Sequence, residues 1–134
     1  MNPEKMPAGR YYIGDLCYVM HPEWVEFCEL TIHDHSVSEG KFTLADGRKF
    51  VFFNTMYGDG VYADREGRQY GVDAGLIGAI ALADITESEL KNVKFGNVVS
   101  FENEWEAVSA NGVLFFGDVV INTGCEDEEY DDDF

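Results

Sequence analysis

Short runs rich in aromatic and β-branched residues, separated by glycine-containing breaks, dominate the chain from residue 10 to residue 122. This is the pattern of strands and hairpins. "YYIGDLCYVM" (11–20) is strand material broken at Gly14-Asp15. "GKFTLADGRKFVFFN" (40–54) predicts a hairpin, with Asp46-Gly47 as a two-residue turn between alternating runs. "GVYADREGRQYGV" (60–72) predicts a second hairpin, turning near Arg65-Glu66-Gly67. "LIGAIALADI" (76–85) is a buried run, read as a strand because Gly78 interrupts it. Residues 97–122 predict one long hairpin around Asn111-Gly112.

Two segments read as short helices. In "HPEWVEFCEL" (21–30), Pro22 suits the first helical position. Trp24, Phe27, Cys28 and Thr31 then share one face, and Glu23, Glu26 and Glu29 line another. "TESELKN" (86–92) has the spacing of a capping box, Thr86 followed by Glu89. The expected architecture is one α+β domain over residues 10–123, mostly antiparallel, with two short helices. Its hairpins build a strongly curved sheet or a small barrel. Residues 1–9 are expected to form a flexible arm. Residues 124–134 are expected to form a disordered acidic tail, because "EDEEYDDDF" carries seven acids.

The pair Gly-Asp occurs at 14–15, 58–59 and 117–118, each time after an aromatic or aliphatic residue. Glycine within strand material marks a bulge or a bend, and an adjacent Asp can accept from the freed backbone amides. The three pairs are therefore read as corner devices. The competing reading brings Asp15, Asp59 and Asp118 together as a carboxylate site.

Charge changes the picture more than length does. The 134 residues hold 9 Lys and Arg against 26 Asp and Glu, a formal charge of −17. Such a chain repels nucleic acid and anionic membranes, so direct binding to either is excluded as an expectation. It attracts basic proteins, cations and the cationic grooves that hold nucleic acid. The start of the chain has no apolar core of a signal peptide, and no apolar run approaches the ~20 residues that span a bilayer. Cys17, Cys28 and Cys125 have no C-x-x-C spacing and read as reduced thiols, so a cytoplasmic location is expected.

In "FENEWEAV" (101–108), strand alternation puts Glu102, Glu104 and Glu106 on one side and Phe101, Asn103, Trp105 and Ala107 on the other. A carboxylate row every ~6.6–6.8 Å on a stiff strand imitates part of a phosphate backbone. Glu23, Glu26 and Glu29 add a second row. A solvated strand face accounts for the same pattern.

"HDHSVSE" (33–39) is the metal candidate. On a strand, His33 and His35 point to one face, and Glu39 supplies a carboxylate for a divalent ion. This stretch resembles the His-x-His-x-x-x-Glu core of the first cupin motif. The glycine expected before the histidines is absent, and no histidine follows to complete the set. Two exposed histidines in a polar turn are the favoured explanation of the same stretch. No catalytic residue is assigned, since there is no nucleophile elbow, P-loop or EF-hand spacing, and no cofactor is expected beyond that possible metal.

"GRYYIGDLCYVMHPEW" and "GDGVYADREGRQYGVDAGLIGAI" resemble a set of small uncharacterised bacteriophage and prophage proteins that open on Tyr-x-Ile-Gly-Asp-x-Cys-Tyr. The resemblance covers roughly the first 85 residues and carries no catalytic residues. It implies a phage setting, where small acidic proteins block host enzymes from within the host cytoplasm. The leading expectation is a non-enzymatic inhibitor of a host nucleic-acid-binding enzyme or defence complex, docking Glu102, Glu104, Glu106 and the helix acids on a basic surface. The alternatives are a metal-binding small-barrel enzyme using His33, His35 and Glu39, and a phage structural or assembly protein. In a homo-oligomer, Tyr57, Tyr62 and Tyr70 would line the contact.

Overall fold

The computed structural model describes residues 3–124. In chain order its strands are β1 (Glu4–Met6), β2 (Gly9–Gly14), β3 (Ile32–His33), β4 (Ser36–Val37), β5 (Gly40–Thr43), β6 (Lys49–Asn54) and β7 (Gly60–Ala63). They continue with β8 (Gln69–Val72), β9 (Leu76–Ala81), β10 (Asn97–Phe101), β11 (Trp105–Ala110), β12 (Val113–Phe116) and β13 (Val119–Asn122). One α-helix, α1 (Trp24–Thr31), precedes β3, and 3-10 segments cover Leu16–Tyr18, Leu82–Asp84 and Glu87–Phe95. The fold is α+β and its strand pairs are antiparallel.

A five-stranded sheet runs β10-β2-β9-β6-β5, and a four-stranded sheet runs β1-β11-β12-β13. Strand β6 shows why the larger sheet sits in the middle of the molecule. Successive side chains point to opposite faces, and Phe50, Val51, Phe52 and Phe53 are all buried. Phe50 and Phe52 face α1, where Phe27 lies 5.0 and 5.1 Å from their rings. Val51 and Phe53 join a second core with Tyr62, Tyr70, Trp105, Leu114 and Phe116. Burial on both faces is also why Leu76–Ala81 reads as an unbroken apolar run rather than an alternation.

The four-stranded sheet buries one face only. In β11, Trp105 and Ala107 are buried while Glu106 between them is exposed. Among the described residues both larger sheets are open, with β10 and β5 as edges of one and β1 and β13 as edges of the other. Isolated bonds link these edges to their neighbours. The Lys41 Nζ donates to the Lys5 carbonyl (2.6 Å), the Arg65 N–H to the Val120 carbonyl (3.2 Å), and the Asn97 Nδ2 to the Gln69 carbonyl (2.9 Å).

Several sequence expectations are corrected here. Residues 4–6, expected in a loose arm, form β1 against β11, and Met6 is buried. The segment 97–122 is not one hairpin: β10 belongs to the five-stranded sheet, and only β11 and β12 fold about Asn111-Gly112. There the positive φ values of 54° and 82° are those a type I′ turn needs.

Asp46-Gly47 lies in a three-residue loop, because the Leu44 N–H reaches the Arg48 carbonyl and Gly47 takes the left-handed position at φ 99°. The loop Arg65-Glu66-Gly67 repeats this geometry. Tyr62 and Tyr70 are buried cross-strand partners, which removes them from any self-contact; Tyr57 is exposed. The Thr86 hydroxyl donates to Glu23 rather than capping its own segment. The acidic tail and Cys125 lie outside the described residues.

Candidate functional site

The Gly-Asp pairs resolve into three different devices. Gly14 ends β2 where a side chain would strike Tyr12 and the Gly96 backbone. Asp15 then caps the 3-10 turn and is fully buried. Its carboxylate accepts from the backbone N–H groups of Cys17 (2.9 Å), Asp73 (2.7 Å) and Ala74 (2.6 Å). Gly58 sits at positive φ in the loop after β6, and its carbonyl accepts from the Thr55 and Tyr62 hydroxyls. Gly117-Asp118 is the two-residue turn joining β12 and β13. The three aspartates do not form one site: among the described residues no three His, Cys, Asp or Glu side chains lie close enough to hold a metal.

The metal candidate does not have the geometry its spacing implied. Asp34 and His35, both at positive φ, are the central residues of a tight turn between β3 and β4. His33 alone lies on β3, so the two imidazoles do not share a strand face. The Glu39 carboxylate accepts from the Asn54 N–H at 2.8 Å.

The acidic row is rearranged as well. The strand stops at Phe101 and restarts at Trp105, so Glu102 and Glu104 sit on the connection between two sheets and only Glu106 is on β11. A chain crossing between sheets has to abandon strand geometry, so the regular ladder is lost. Glu106 stands directly opposite Lys5. On the helix, the Glu23 carboxylate is nearly buried and accepts from Arg48 (2.9 Å) and Thr86 (2.7 Å). Glu26 accepts from the Ala45 N–H at 2.6 Å, and Glu29 is exposed. Two of the three helix acids therefore tie α1 to its surroundings.

What the fold assembles instead is an acidic furrow. A concavity of about 300 Å³ is lined by Glu66, Arg68, Val99, Ser100, Phe101 and Asp118. A second, about 370 Å³, shares Phe101 and Asp118 with it and adds Glu102, Asn103 and Glu104. A third, about 470 Å³, shares Glu104 and continues past Trp105 to Glu106 and Lys5. Five exposed carboxylates thus line neighbouring hollows at the corner where β10, β11 and the β12–β13 turn meet. Glu66 and Asp118 join this group only through the tertiary fold. Turn spacing identifies each as a loop tip, but nothing in the linear pattern places them beside Glu102.

Of the two cations at the furrow, Arg68 is committed elsewhere. Its Nε bonds the Asp64 carboxylate at 2.7 Å, and the Tyr70 hydroxyl donates to the same oxygen at 2.6 Å. Asp64 also accepts from the N–H groups of Glu66 and Arg68. Burial works to raise its pKa, but the bonds from Tyr70 and Arg68 outweigh it and hold the carboxyl below the usual range. Burial first, then Asp64, pushes the Tyr70 hydroxyl well up, so it stays a donor. Asp64 was missed in the sequence because its role depends on Tyr70 folding back across the hairpin.

Cys17 is half-buried, and burial followed by the nearby Asp15 pushes its thiol up to about 12. Nucleophilic chemistry requires the thiolate, so this residue offers none near neutral pH. Among the described residues no helix is long and apolar enough to cross a membrane. Comparisons with known protein families, curated proteins and solved structures find no match.

Proposed function

We propose that this protein is a non-enzymatic binding protein that docks its acidic corner onto a basic, nucleic-acid-binding surface of a partner protein. The observation that carries the reading is the furrow itself. Glu66, Glu102, Glu104, Glu106 and Asp118 line adjoining hollows, and the arginine among them is already paired with a buried aspartate. The formal charge of −17 adds a long-range field of the same sign. Such a field speeds encounter with a cationic groove and weakens as salt rises. The bend at 102–104 supports a compact anionic patch rather than a regular copy of phosphate spacing. The phage resemblance supports a host enzyme or defence complex as the partner and the host cytoplasm as the place.

The test is capture of partners from a host lysate, followed by competition with nucleic acid on the purified partner. The captured protein is expected to lose its nucleic acid as this protein is added. Affinity is expected to fall steeply by about 1 M salt, where the screening length is about 3 Å. Changing Glu102, Glu104 and Glu106 together to Gln should weaken binding without unfolding the chain. Binding indifferent to both salt and the triple change would overturn the proposal.

A further inference from the structure

We infer that the furrow takes its partner as an added β-strand: an extended, lysine- or arginine-rich segment pairs with the open edge of β10. This inference rests on the docking reading above and specifies the chemistry of the partner.

Strand β10 is hydrogen-bonded to β2 on one side and, among the described residues, is the last strand of its sheet on the other. In an antiparallel pair, alternate residues turn their N–H and C=O groups away from the partner strand. Val99, Ser100 and Phe101 of β10 line the hollow together with Glu66, Arg68 and Asp118. At one end the Asn97 side chain bridges to the Gln69 carbonyl, and at the other Phe101 is shared with the adjoining hollow of Glu102 and Glu104.

Edge strands are normally blunted by lysine, proline or a covering element. The other edges of the two larger sheets carry such cover: on β5 the Lys41 Nζ reaches the Lys5 carbonyl of β1, and β13 meets the β7–β8 hairpin through the Asp64–Ile121 bridge and the Arg65 N–H to the Val120 carbonyl. The β10 sequence Asn-Val-Val-Ser-Phe has no charge and no proline, and two valines and a phenylalanine favour strand pairing. It is a strand prepared for a neighbour. Its five residues would pair over ~17 Å of extended peptide. Glu66 and Asp118 line the same hollow as β10, and Glu102 and Glu104 line the one adjoining it. An incoming strand with a cation at every second position meets these carboxylates while its backbone satisfies the β10 edge. A neutral strand gains only the backbone bonds, and an acidic one is repelled. The carboxylates thus act as a filter on what the edge accepts.

The test is an NMR titration of the amide-labelled protein with an alternating Lys-Thr octapeptide. A second peptide has the same sequence with alternate backbone amides N-methylated, which keeps its charge and removes its donors. Poly-lysine serves as a charge-only probe. Cross-strand contacts from the Lys-Thr peptide to residues 98–101 are expected, with slowed amide exchange there. N-methylation should lower affinity at least about tenfold, and the pair of changes Glu66→Gln and Asp118→Asn should lower it as well. Equal binding of the two peptides, or shifts confined away from β10, would overturn strand addition while salt-sensitive poly-lysine binding left the docking reading in place. No binding by any of the three would overturn both.

Discussion

Asp15 and Asp73 lie 58 residues apart in the chain and are joined by a hydrogen bond of 2.7 Å, from the Asp73 N–H to the Asp15 carboxylate. The Ala74 N–H reaches the same oxygen at 2.6 Å, and the Cys17 N–H takes the other. A buried carboxylate so held fastens the β8–β9 loop to the end of β2. Asp15→Asn would set an amide donor against N–H groups that need an acceptor. The expected loss is about 2–3 kcal/mol, read as a lower urea midpoint at unchanged slope. An unaltered midpoint would show that this latch contributes nothing.

Asp64 contributes to the acid response. Its folded pKa is depressed below the ordinary ~3.9, since the bonds from Tyr70 and Arg68 overcome burial. Its contribution is therefore complete above the unfolded value and disappears as pH falls through the folded one. The urea midpoint of the native protein should drop more steeply from about pH 5 to about pH 3 than that of Asp64→Asn. At neutral pH the variant should be less stable by about 2 kcal/mol, because Arg68 is partly solvated and the loss is smaller than for a wholly buried pair. Parallel acid curves would refute this role.

Two glycines separate close packing from tolerance. A side chain at Gly78 would meet the Val51 carbonyl, Leu16 and Phe52 in the centre of the larger sheet. At Gly71 the nearest atom is the Phe95 carbonyl oxygen, 3.8 Å away. Gly78→Ala should cost about 1–3 kcal/mol. Gly71→Ala should be neutral or stabilise by about 0.4–1 kcal/mol, through the unfolded chain. Thermal melts of the two variants check both, and equal melting temperatures would contradict the packing described.

Cys17 should resist alkylation. With its thiol pushed up to about 12 by burial and by Asp15, little thiolate exists near neutral pH. Peptide mapping after iodoacetamide should show slow labelling in buffer and fast labelling in urea. Labelling equally fast in both conditions would mean that the environment of Cys17 differs from the one described.

The sequence alone determined the α+β class, the antiparallel hairpins, α1 and the acidic field. These rest on local rules: alternation, helical spacing, turn glycines and counted charge. The Arg65-Glu66-Gly67 and Asn111-Gly112 turns were legible because their backbone conformations depend on a few adjacent residues. The break at 102–104 was not, since residues 97–101 and 105–110 alternate like one strand but serve different sheets. Tyr62 and Tyr70 could not be told from surface aromatics until a second sheet covered them. Tertiary structure alone decided that Glu23 and Glu26 brace α1, and that Glu66 and Asp118 join Glu102 beside an open strand edge. Long-range packing sets which acids are neutralised and which stand together, and no short-range pattern in the chain encodes it.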